Sequence, residues 1–332
     1  MLEKITKQTL TISIILVLLA SAILVSILSI NTKVSAEEYE GFEITDEDDY
    51  EIYFAAKANT TYHITEGNKM MVADCTDASS REGLTFIIES TANEFELYGS
   101  SDMFSMNAPV LRNSKIIIEP RTTELNIYFF GVSMSAPEQE ACIYNKSTEG
   151  RVNLVSFGMT FLYGNKTSDG SYKDGYDVYG TIASRGDLGF LGYAFYVQGA
   201  NANYTTKLGN LSYGGTGIQV FGKKTVYIEG LVLCAGGQGA TGDKIGKLGL
   251  SGGHGGYAYD GALSNIEFAD GQEAMLRLEP GAGGKGASVP KGGIVGKGGK
   301  AGGAYYLSLK TNNSDKVQES TAPDGQAGSI LE

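Results

Sequence analysis

Tryptophan is absent from this 332-residue chain, histidine occurs twice, cysteine three times and proline only six times. Each shortage excludes something. Cys75, Cys142 and Cys234 are too few for a disulfide scaffold. His63 and His254, with no Cys-x-x-Cys spacing anywhere, leave no basis for a zinc cage. Scarce proline argues against a collagen helix in spite of 46 glycines. Positive charge is short as well: 26 Lys and Arg face 38 Asp and Glu, a formal net charge of -12, and no basic stripe is visible. Nucleic acid and an anionic membrane surface are therefore not expected as partners. No cofactor and no metal is expected either.

Residues 1–36 read as an export signal. Lys4 and Lys7 open it, an apolar run follows from about Leu10 to Ile30, and Val34-Ser35-Ala36 precedes Glu37 as a small-residue cleavage site. The apolar run is also long enough to span a bilayer, so a retained N-terminal segment is the one route to a membrane. Either way residues 37–332 are expected outside the cytoplasm, secreted or on the cell surface.

What the chain does have is short β-forming runs and glycine. LTFIIES, KIIIEP, LNIYFFGVSM, LGYAFYVQG and AMLRLEP are rich in β-branched and aromatic residues, and Gly, Asn, Asp or Ser turns separate them. No window has a helical period, so an all-β chain is expected. From Thr181 the strands fall into repeats, with units starting at Thr181, Gly217, Tyr257 and Ala304, the last a truncated unit, AYYLSLK. Units of this length that cannot close their own cores point to a β-solenoid, with a β-sandwich as the alternative. The expected organisation is a signal peptide (1–36), an N-terminal β domain or first solenoid coils (37–180), and a glycine-rich repeat β domain (181–332).

Within the repeats glycine keeps a three-residue beat. Gly236, Gly239 and Gly242 are in phase, as are Gly246, Gly249, Gly252 and Gly255, and then Gly293, Gly296, Gly299 and Gly302. Three is the period of a polyproline-II helix, not of an α-helix or a strand. Glycine along one edge bares the backbone, so neighbouring helices can close to N–H···O contact. The C-terminal third is therefore expected to carry polyglycine-II arms.

The stretch GIQVFGKKTVYIEGLVLCAGGQGATG resembles the glycine-rich rungs of carbohydrate-binding right-handed β-helix proteins secreted by bacteria, over about Thr181–Lys310. VLCAGGQGATG, LRLEPGAGGKG and APDGQAG are also similar to the glycine-rich domains of phage tail proteins and receptor ectodomains. In those domains polyglycine-II helices sit on a sandwich of the tumour-necrosis-factor type. The first resemblance implies a right-handed solenoid and glycan recognition. The long N-terminal β region departs from both.

Strings that carry chemistry elsewhere are weak here. Gly249-Leu250-Ser251-Gly252-Gly253 matches a nucleophile elbow, but glycine flanks both sides where a strand and a helix are needed. Gly253-His254-Gly255 lacks the paired aspartates of a β-helix polygalacturonase, and Arg185-Gly186-Asp187 reads as a turn. A better candidate is the tyrosine-rich segment with Tyr172, Asp174, Tyr176, Asp177 and Tyr179, extended by Tyr193, Tyr196, Tyr204 and Tyr213. Flat rings suit sugar C–H faces, and carboxylates suit hydroxyls. The expected function is non-catalytic recognition of a glycan or other surface polymer, in adhesion or envelope structure. The alternative is a β-helix lyase or hydrolase acting on polysaccharide.

Overall fold

Strands form where apolar and polar residues alternate, because successive side chains point to opposite faces. Leu125–Phe130 shows the rule: its burial alternates strictly along LNIYFF. The computed structural model describes residues 59–65, 82–98, 110–138, 140–165, 180–202 and 213–331. These residues are all-β, with one 3-10 turn at Ser314–Lys316 and no α-helix among them.

In chain order the strands are β1 (Thr61–Ile64), then β2 (Thr85–Ile88), β3 (Glu94–Tyr98) and β4 (Val110–Leu111). Next come β5 (Lys115–Ile118), β6 (Leu125–Phe130), β7 (Ser133–Ser135), β8 (Ile143–Asn145) and β9 (Val152–Tyr163). They are followed by β10 (Gly180–Ser184), β11 (Leu188–Gln198), β12 (Thr216–Val220), β13 (Thr225–Ile228) and β14 (Leu231–Ala235). A small hairpin, β15 (Lys244–Ile245) and β16 (Leu248–Gly249), precedes β17 (Tyr259–Asp260), β18 (Asn265–Phe268) and β19 (Met275–Glu279). The chain closes with β20 (Val289–Pro290), β21 (Val317–Glu319) and β22 (Ile330–Leu331).

Two large sheets hold most of these strands. The first has seven, in the order β1-β2-β5-β8-β10-β12-β17. The second has eleven, on a main path β3-β6-β9-β11-β14-β19-β21 with β4, β7, β13 and β18 attached. Every pairing within both is parallel. Parallel neighbours cannot be joined by a tight hairpin. From β2 onward the chain visits the second sheet before it returns to the first.

That route stacks like on like. Tyr62, Phe86, Ile116, Ile143, Ile182, Ile218 and Tyr259 follow one another in register across the first sheet, and Tyr305 bridges to Tyr259. Phe95, Ile127, Leu154, Phe190, Ile228 and Phe268 do the same in the second. Both columns are buried and share one hydrophobic core. Phe86 meets Phe95 across it with ring centroids 5.5 Å apart, and Phe129 meets Phe195 edge-on at 6.0 Å. Burying each such side chain is worth about 1.5–3 kcal/mol.

The repeats seen from Thr181 onward correspond to this stacking, since Ile182, Ile218, Tyr259 and Tyr305 are register partners. The column also extends upstream, through β8, β5 and β2 to β1. The truncated unit differs from expectation: AYYLSLK makes only an isolated bridge at Tyr305, because Leu307 turns to a φ of 62 and ends the extended run.

The glycine-rich stretches form a second kind of structure. Chain segments 199–202, 236–243, 281–289 and 323–329 lie side by side as one layer. Gly236, Gly239 and Gly242 donate to the carbonyls of Glu279, Ala282 and Lys285, and Gly283 and Gly286 donate to Pro323 and Gln326. Each step is three residues. The return segments 249–256 and 294–303 make a second layer, where Gly249, Gly252 and Gly255 donate to Ile294, Lys297 and Lys300. The layers run in opposite directions and bond through Gly253 to Ala240, Gly256 to Gly237, Gly284 to Gly253 and Gly299 to Gly284. A Cβ on Gly252 would lie 2.1 Å from the carbonyl oxygen of Gly284, and one on Gly256 2.0 Å from that of Gly215. Only glycine permits that approach.

Candidate functional site

The inward residues of the second sheet make the core, so the alternate residues face out. On β6 these are Tyr128 and Phe130, on β9 Val155 and Phe157, and on β11 Leu191 and Tyr193. Parallel register lines them up: Tyr128 opposes Val155, which opposes Leu191, while Phe130 opposes Phe157. The Phe130 and Phe157 rings stack at 4.7 Å with 2° between their planes, and Tyr128 lies 6.2 Å from Phe157. Phe157 is 44% exposed and Tyr193 58%. Large apolar side chains so exposed on a rigid sheet are a reason to look for a ligand.

A bulge sets this face. Ser156 pairs with Gly192 and Met159 with Ala194, so Phe157 and Gly158 together oppose the single residue Tyr193. Gly158 and Gly192 take φ values of 94 and 84, which glycine tolerates. Buried Ser156 Oγ lies 2.8 Å from the Gly158 carbonyl, 2.9 Å from Thr160 Oγ1 and 3.0 Å from the Ala194 carbonyl, tying the bulge down. Beyond it the outer face continues with Phe161, Tyr163 and Tyr196, whose centroids are 5.9–6.4 Å apart. Burial raises the phenol pKa of Tyr163 and of Tyr196 above the ordinary value, and Tyr163 and Glu279 add to the rise at Tyr196. Both phenols are therefore neutral hydrogen-bonding groups at physiological pH.

Polar groups border the rings on one side. Asn153 Nδ2 donates to Asn126 Oδ1 at 2.9 Å and to the Glu124 carboxylate. Asn153 Oδ1 is buried and has no hydrogen-bond donor among the described residues; Gly189 leaves the space it occupies. Arg151 lies over the Tyr227 ring at 5.7 Å. Rings flanked by amides, carboxylates and a guanidinium can hold a flat polar molecule by its face and by its edge.

Of the site residues expected from the sequence, Tyr172, Asp174, Tyr176, Asp177 and Tyr179 lie outside the described residues, as does Tyr204. Their segment follows Tyr163 and precedes Gly180 in the chain. Tyr193 and Tyr196 do fall on the aromatic face, whereas Tyr213 stacks on His254 in the glycine layers at 5.4 Å. Sequence reasoning missed Tyr128, Phe130 and Phe157, because an aromatic run such as IYFF reads equally well as core. Strict alternation within LNIYFF was the signal that separates Phe129 from Tyr128 and Phe130.

The other strings have structural explanations. Arg185 Nε donates to the Tyr144 hydroxyl at 3.0 Å, and Asp187 Oδ1 accepts from the Thr225 amide at 2.8 Å. That tripeptide is a turn tied to its neighbours. Ser251 and His254 sit one three-residue step apart on a glycine-layer strand, and His254 Nδ1 accepts from the Lys300 amide at 2.8 Å. Cys142 and Cys234 are buried free thiols. Among the described residues no cluster of three or more His, Cys, Asp or Glu could hold a metal. No family model, no curated protein and no solved structure matches this chain.

Proposed function

We propose that this chain is a secreted or cell-surface binding protein without catalytic function, recognising a glycan or other surface polymer in adhesion or envelope structure. The observation that carries this reading is the stacked, exposed aromatic face of β6, β9 and β11, with Phe157 and Tyr193 at its centre. Sugars present flat C–H faces to rings and hydroxyls to amides and carboxylates, and both kinds of group are here side by side. Tyr172, Asp174, Tyr176, Asp177 and Tyr179, which lie outside the described residues, stay in the proposal as ligand-binding residues on their chemistry alone. The architecture we propose is a right-handed β-solenoid carrying polyglycine-II arms. In its support, all pairings of both large sheets are parallel and each column advances by one repeat, whereas a sandwich of the alternative type is antiparallel.

The test is a glycan array probed with the wild-type protein and with Phe157→Ala and Tyr193→Ala, run beside reducing-sugar release on pectins and mucins. Loss of array binding at unchanged melting temperature is expected for both variants. Full binding by the double variant would remove this face from consideration. Sugar release above background would favour the lyase or hydrolase instead.

A further inference from the structure

Three residues per turn give every chain in the glycine layers three directions. In the return layer Gly249, Gly252 and Gly255 bond to the neighbouring chain, while Leu250, Gly253 and Gly256 face the other layer. The third row is left for solvent: Ser251, His254 and Tyr257 on one chain, Ile294, Lys297 and Lys300 on the next. Lys297 and Lys300 are exposed, and none of the described ion pairs includes either. They are one turn apart, about 9 Å along such a helix.

Rings lie beside these lysines. Tyr213, 44% exposed, stacks on His254 at 5.4 Å and 17°. Because His254 Nδ1 accepts the Lys300 amide, the neutral ring carries its proton on Nε2, ready to donate. Tyr257 is 36% exposed, with Tyr306 edge-on to it at 5.3 Å. The carboxylate of Asp324 is occupied by the Ala301 amide at 2.7 Å.

We propose that this outward face of the return layer binds an anionic polysaccharide, with carboxylates on Lys297 and Lys300 and sugar rings against Tyr213, His254 and Tyr257. The chain as a whole carries a formal charge of -12, so charge complementarity favours a row whose charged side chains, Lys297 and Lys300, are both cationic. A spacing of one turn between the lysines is comparable to a disaccharide repeat, and the backbone-bonded layer holds that spacing rigid. This surface is separate from the aromatic face of the second sheet, and its test does not depend on that face.

The probe is polygalacturonate, with dextran as the neutral polymer and inorganic polyphosphate as the anion without sugar. Binding of polygalacturonate that weakens with added salt is expected. The double change Lys297→Gln, Lys300→Gln should weaken it roughly tenfold, since two exposed cations no longer meet the polymer's carboxylates. Tyr213→Leu should weaken it severalfold without altering the salt dependence. Lys285→Gln, on the other layer, should leave it unchanged. An equal loss with Lys285→Gln, binding of dextran as tight as of polygalacturonate, or polyphosphate binding insensitive to Tyr213→Leu but otherwise equal, would each overturn the proposal.

Discussion

The stacked sheets and the glycine layers are built from alternating stretches of one chain, yet different atoms hold them. In the sheets, side chains fill the space: Phe86, Phe95, Phe129 and Phe195 meet ring to ring while the backbones stand a full strand spacing apart. In the glycine layers the surroundings of Gly236, Gly252 and Gly256 are backbone atoms of neighbouring segments, and amides bond directly to carbonyls at three-residue steps. A core of side chains adjusts to a change of shape by repacking. A core of backbone has nothing to adjust, because a peptide group can neither shrink nor change rotamer. The first kind of structure tolerates conservative substitution, and the second tolerates none at glycines such as Gly252 and Gly256 that backbone atoms crowd.

The sharpest test of that difference is Gly256→Val. Its Cβ would lie 2.0 Å from the Gly215 carbonyl oxygen and 2.6 Å from that of Gly214. The expected loss exceeds the ~3–5 kcal/mol of removing a large buried aromatic, and a wild-type melting temperature would show that the layers are not packed as described. Next is Phe129→Ala in the sheets, expected to cost ~3–5 kcal/mol, with Phe129→Leu costing under about 1.5 kcal/mol, both read from denaturant midpoints. If leucine is as damaging as alanine there, the side-chain core is as intolerant as the backbone one.

A pH effect separates the regions by chemistry. Burial pushes the Cys142 and Cys234 thiols above their ordinary pKa, and both lie in the side-chain core between the sheets. An acid whose folded pKa is raised binds its proton more tightly when folded. Its contribution is therefore complete below the unfolded value, about pH 8.5 for a thiol, and is lost as pH rises above it. Stability should fall between about pH 8.5 and 10, and the double change Cys142→Ala, Cys234→Ala should flatten that fall in an alkaline denaturation series. An unaltered slope would remove the thiols as its cause. The smallest effect is expected for Lys285→Ala, whose side chain faces water from a glycine layer; its stability should stay within about 0.5 kcal/mol of wild type.

Much of this was readable from residue order. The β-branched and aromatic residues of TFII, KIII and LNIYFF mark strands, and each is a strand with one buried face. The in-phase glycines at 236, 239 and 242 and at 249, 252 and 255 are the donors of the in-layer bonds. Upstream of Thr181 the repeat was not legible, because the spacers between Tyr62, Phe86, Ile116, Ile143 and Ile182 vary in length and carry no glycine pair to mark a new unit. The aromatic face was half legible: Tyr193 and Tyr196 stood out as tyrosines, whereas Phe157 is distinguished only by the bulge that turns it outward beside Phe130.

By itself the sequence determined periodicity, since a period of two or of three follows from the backbone geometry that local residue types favour. It determined which glycines must be bare, because a repeating absence of Cβ has meaning only for a chain with neighbours on that side. Tertiary structure alone decided which chains are neighbours. It brought Tyr213 onto His254 and placed Lys300 beside them, and it set Phe130 over Phe157. Such pairings depend on how far each excursion runs before the chain returns to its sheet, and loop length carries almost no local signal of its own.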